Sequence, residues 1–110
     1  MRFLNTSFVI NNASTTSTPP IDTSNVGTIS AQAVFTDGAA AGSMEFQGSN
    51  DVSETNAPTH WSVIGTPATV AAGATTMLPE LSVTYRYTRV TFISSGGAGT
   101  ITVSVEGEGV

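Results

Sequence analysis

Residues able to do chemistry are sparse in this 110-residue chain, and each needs partners before it can act. His60 is the sole histidine, so a Ser/His/Asp relay would have to run through it, and no Gly-x-Ser-x-Gly elbow supplies the nucleophile. Glu45, Glu54, Glu80, Glu106 and Glu108 could pair for glycoside hydrolysis by type, but nothing in their spacing separates them from solvated charges. Asn50, Asp51 and Glu54 offer oxygens to a Ca²⁺ ion, which takes about six to eight ligands. They fall short of that number, and a turn that Ser49, Asn50 and Asp51 build on their own backbone is the simpler use. The chain has no Cys, which excludes disulfides, thiolate metal sites and cysteine nucleophiles, and no Lys, which removes Schiff-base chemistry. A non-enzymatic protein without cofactor or metal is therefore expected.

Binding has somewhat better material. Trp61, beside His60, and Tyr85 and Tyr87 are rings on which a sugar could stack, although a lone Trp in a small domain is more often a core anchor. Arg86 and Arg89 are the only cations past position 2. Three apart in a strand, they point to opposite faces unless a bulge intervenes, so one is expected to be buried with a carboxylate and the other to be exposed. The exposed one suits an acidic patch on a partner, or ties strand ends together. Three Arg against eight carboxylates, for a net charge of −5, argue against nucleic acid and anionic lipid as partners. No apolar run reaches the ~18 residues of a membrane span, and residues 1–10 lack the basic cluster and apolar run of a signal peptide. The chain reads as a complete product made in the cytoplasm. The glycosylation patterns at Asn5 and Asn12 are what chance yields in a sequence with 31 Thr and Ser.

The elements that must position these residues are strands. β-branched and aromatic residues fill the longest stretches free of Gly and Pro, and the Ala-rich pieces at 39–41 and 71–72 are flanked by Gly and read as turns. Ile29, Ala31, Ala33 and Phe35 alternate with Thr28, Ser30, Gln32 and Thr36; Met44 and Phe46 alternate after a connection at 37–42, and the two runs resemble a hairpin. Trp61, Val63 and Ile64 form a short strand closed by Gly65-Thr66-Pro67. A long strand is expected over 82–93, with a bulge near Thr88 because its apolar residues change parity, and a turn at 96–99 leads into Ile101, Val103 and Val105. Weaker strands near 3–10 and 67–78 bring the total to about eight, which indicates an all-β antiparallel sandwich or jelly roll. Residues 1–25 read as an N-terminal strand and polar linker, an extended arm containing Pro19-Pro20 that could fold back along its own domain or cross to a neighbour, ahead of a sandwich domain at 26–110.

The block Gln47-Gly48-Ser49-Asn50-Asp51, followed by Trp61 and by Tyr85-Arg86-Tyr87-Thr88-Arg89-Val90, resembles discoidin-type, galactose-binding-like sandwiches. It is also similar to small β-sandwich structural proteins of bacteriophage virions, over residues 31–107. The second resemblance implies a capsid decoration, cement or minor capsid subunit, made in the host cytoplasm and resident in the virion. Such a subunit would bind the major capsid protein or other virion proteins and form a homo-oligomer, with a trimer as the expected state. Its interface residues would be Phe3, Phe8 and Ile10 of the arm, reaching a neighbour, together with Arg86 and Arg89. The alternative reading is a carbohydrate-binding module of a phage tail or host-recognition apparatus, stacking sugars on Trp61, Tyr85 and Tyr87.

Overall fold

Alternation of side chains decides which face of each strand goes inside, and nine strands in the computed structural model follow it: β1 (Arg2–Asn11), β2 (Thr16–Ser17), β3 (Ile21–Asp22), β4 (Val26–Phe35), β5 (Ala41–Ser49), β6 (Ser62–Val70), β7 (Thr76–Ser82), β8 (Tyr87–Gly96) and β9 (Thr100–Gly109). The structure describes residues 2–11, 15–35, 41–51, 59–70, 75–96 and 99–109, with the backbone alone at 2–4, 11 and 96. The turns expected at 37–40, 71–72 and 97–98, and Glu54, lie outside the described residues.

The strands form two antiparallel sheets, β1-β9-β4-β7 and β2-β8-β5-β6, with β3 also on β8. Treated as two pieces of one strand interrupted at Pro19-Pro20, β2 and β3 leave eight strands. They pair in nested fashion: β1 with β9, β2/β3 with β8, β4 with β7 and β5 with β6. That is the order of a jelly-roll β-sandwich. Ile29, Ala31, Ala33 and Phe35 of β4 and Ile101, Val103 and Val105 of β9 meet Met44 and Phe46 of β5 and Val90 and Phe92 of β8 in the core. Phe35 and Phe92 join the sheets edge to face, with ring centroids 5.7 Å apart.

Several expectations about neighbours are corrected. β4 and β5 do not form a hairpin; each is flanked on both sides in its own sheet, β4 by β9 and β7, β5 by β8 and β6. The strand expected to close at Gly65-Thr66-Pro67 continues to Val70. Met44 pairs with Ala68 and Phe46 with Ile64, so residues 65–67 bulge opposite Glu45. Pro67 is tolerated because β6 is an edge strand, where a missing N–H breaks no ladder. The strand placed at 67–78 is divided between β6 and β7, and the one placed at 82–93 is divided between the end of β7 and β8.

No register shift occurs near Thr88: pairing is regular from Ser43↔Ile93 to Ser49↔Tyr87. The change of parity has another cause. Tyr85 precedes the strand, and Tyr87 is covered on the outer face by Arg86.

Residues 2–11 and 15–25 lie along their own sandwich. β1 pairs with β9 along its length, and β2 and β3 line the edge of β8, so of the two courses open to the arm the described parts follow the one along its own domain. Ile10 is buried in the core of its own sandwich, and Phe8, partly buried, packs against that core. Phe3 lies in β1, and its side chain is outside the described residues.

Candidate functional site

Register on the outer face of the β2-β8-β5-β6 sheet brings the chain's distinctive polar residues together. Gln47 stands opposite Arg89, Glu45 opposite Thr91, and Val63 flanks Gln47 on the other side. Glu45 and Gln47 are two apart in β5 and so share this face. Trp61, half-buried just before β6, lies under the Arg89 guanidinium at 4.2 Å from the ring centroid. Arg89 Nε donates to Gln47 Oε1 at 2.8 Å, and Gln47 Nε2 donates to Glu45 Oε2 at 2.7 Å. An aromatic ring, a guanidinium, an amide and a carboxylate are thus linked across three strands. Glu45 is 5% exposed, so its carboxylate depends on such donors. Partial burial pulls the Arg89 pKa below its ordinary value, while the Glu45 charge acts the other way.

This arrangement relocates Trp61. It packs on an arginine at the outer face, where a core anchor was expected. It also revises the arginine pair, because Arg89 reaches its carboxylate through Gln47. Arg86 sits in the bend before β8, exposed, with its guanidinium 5.4 Å from the Tyr87 ring centroid and its backbone N–H bonded to Asn50 Oδ1 at 2.9 Å. Since Arg86 lies outside the strand, the rule that residues three apart face opposite ways does not apply, and both arginines occupy the same side of the sandwich.

The three rings proposed for sugar stacking are not assembled into one platform. Tyr87 is 2% exposed and has no open ring face to offer, which corrects its assignment. The Tyr85 ring packs over Gly48 and against the core. His60, at 86% exposure, bonds through Nδ1 to Asp51 Oδ2 at 3.1 Å. Ser49, Asn50 and Asp51 have local duties. Ser49 Oγ accepts from Asp51 N, and Asp51 Oδ2 accepts from the backbone N–H groups of Thr59 and His60 at 2.7 and 2.8 Å, closing the base of the β5 to β6 connection. Those two N–H groups, Thr59 first, hold the Asp51 pKa below the usual carboxylate range. Among the described residues, no group of three His, Cys, Asp or Glu is placed to hold a metal.

The opposite outer face, on β1-β9-β4-β7, is different in character. Val9, Thr102 and Val34 form one cross-strand row, and Ser7, Ser104, Gln32 and Met77 the next. Val9 is 67% and Met77 55% exposed. Towards one end, Glu80, Glu106 and Glu108 line an open depression of about 210 Å³ with Thr28 and Ser30.

Neither the Glu45–Gln47–Arg89–Trp61 chain nor this acidic depression was identified from sequence. The first had a signal in the spacing of Glu45 and Gln47 and in a lone Arg within an apolar strand; the second depends on strands far apart in the chain.

No protein-family model matches the chain, and no curated protein matches it. Among solved structures it is similar to one described as the PBSX exported protein XepA, with a TM-score of 0.74 and 13% sequence identity. The match covers 97% of this chain and 37% of that one, so the chain spans just over a third of the neighbour's length. The likeness is one of fold.

Proposed function

We propose that this protein is a structural subunit of a bacteriophage particle, a decoration, cement or minor capsid component that acts through protein–protein contacts and has no catalytic role. The observation that carries the reading is the character of its two outer faces. Exposed Val9, Val34, Met77, Val63 and Ile93 sit among Ser, Thr and Gln, on a chain without Lys. Such faces lose little side-chain entropy when covered, and depletion of Lys with exposed apolar residues suits an interface. The jelly-roll order is one that capsid and lectin domains share. The neighbour of like fold is described as an exported protein of PBSX, which agrees with a phage context. Net acidity suits a place outside a shell filled with DNA.

The test is to add purified protein to preassembled shells lacking it and to measure bound copies together with the solution mass. Saturable binding by a multimer, a trimer on this reading, is the expected result. A protein that ignores shells while sugars quench its single Trp61 would overturn it in favour of a carbohydrate-binding module.

A further inference from the structure

This inference rests on the reading of the chain as an assembling subunit and names the contact through which it assembles. The described arginines, Arg86 and Arg89, both lie on the outer side of the β2-β8-β5-β6 sheet. Among the described residues, Asp22 opposite Tyr87 and Glu45 behind Gln47 accompany them there, with Asp51 just past the end of β5, so that side carries little net charge and presents an exposed guanidinium at Arg86. Glu80, Glu106 and Glu108 gather on the outer side of the other sheet. Arg2, whose side chain is outside the described residues, begins the edge strand opposite Glu108. The sandwich is therefore electrically two-sided, with exposed apolar residues on each side: Val9, Val34 and Met77 on the acidic one, Val63 and Ile93 on the other.

Both charged sites also sit at the same end. Glu108 pairs with Thr28, two residues from Val26. Arg86 shares a groove with Val26 and Val83, and Val83 N–H bonds to Gly27 O. The geometry points to a head-to-tail contact between two copies of this chain, in which the Glu80/Glu106/Glu108 side of one seats on the Arg86 side of the next. The two surfaces differ, so the contact is heterologous and must either close into a ring or run on as a filament. The charges set register and direction, and the apolar and hydroxyl side chains between them supply the buried area.

Sedimentation of the full chain, with charge reversals at exposed positions, tests this. Arg86→Glu alone and the double variant Glu80→Arg/Glu108→Arg alone are each expected to weaken self-association at least tenfold, with far-UV circular dichroism unchanged. An equimolar mixture should restore it at every contact between unlike copies, because each variant keeps one surface that complements the other's; in a trimeric ring that is two contacts of the three, so recovery there is partial. If a reversal fails to fold, Arg86→Gln and Glu108→Gln replace it, with a smaller weakening expected. Multimers indifferent to all these changes would overturn the contact. Impaired variants that do not recover on mixing would overturn its head-to-tail geometry. A wild type that stays monomeric yet saturates shells would overturn the contact and leave the structural reading standing, whereas a multimer that assembles as described and ignores shells would do the reverse.

Discussion

Gln47 serves two charged neighbours at once, accepting from Arg89 and donating to Glu45, whose 5% exposure leaves water little access to take the place of the amide. Gln47→Ala leaves a buried acceptor short of its donor, a loss of about 1–3 kcal/mol, to be read from urea denaturation. Trp61 emission should shift in the folded state of the same variant, since the guanidinium above the ring loses its anchor. Gly48 is constrained by a neighbour and not by its own backbone angles: a Cβ there would stand 2.7 Å from Tyr85 Cγ, at the stiff base of that side chain. Gly48→Ala is expected to lower stability by about 1–3 kcal/mol, and Tyr85→Ala in the same chain to recover part of it, a coupling that a double-mutant cycle measures.

Strands of this sandwich differ in how firmly they are held. β2 and β3 contribute two residues each and lie at the edge of β8, tied by Thr18 N–H to Val90 O and Thr23 N–H to Arg86 O. Amide exchange at Thr18 and Thr23 should therefore be faster by an order of magnitude or more than at Val103 and Val105 of the enclosed strand β9; equal protection would contradict it. The same contrast explains what could be read from the chain alone. Alternation in 28–36 and 101–105 reports which face is buried, and those strands fall where it puts them. It carries no information on which strand lies alongside, so two runs separated by a short loop were assigned to one hairpin although they belong to different sheets. In β8 even the alternation blurs. Tyr87 and Thr91 on the outer face are as buried as Val90 and Phe92 within, because Arg86 covers the Tyr87 ring and Thr91 bonds Ser17. The linked residues Glu45, Gln47, Arg89 and Trp61 come together only once neighbouring strands are in register; sequence spacing puts Glu45 and Gln47 on one face of a strand but does not say that Arg89 and Trp61 join them.

Across the whole molecule, acid weakens what the carboxylates hold. Asp22 accepts from the Ser24 hydroxyl and then its backbone N–H, and Asp51 from the N–H groups of Thr59 and His60; both pKa values lie below the ordinary 3.8. A carboxylate with a depressed folded pKa contributes stability above its unfolded value and loses it as pH falls through the folded one, so urea midpoints should drop between about pH 4 and 2. A variant with both Asp22→Asn and Asp51→Asn should show a flatter profile over that window.

β9 lies between β1 and β4, near the middle of its sheet, although it is the last strand in the chain. During synthesis the first and fourth strands therefore wait, each with an open edge, until residues 100–109 have left the ribosome. β4 can pair with β7 as the chain lengthens, but β1 can join that sheet only after β9 has emerged between them. A nascent chain stalled before Thr100 presents an unpaired β1 and one bare edge of β4 to whatever is nearby, which makes the interval before residues 100–109 emerge the one in which this sheet is most open to wrong pairing.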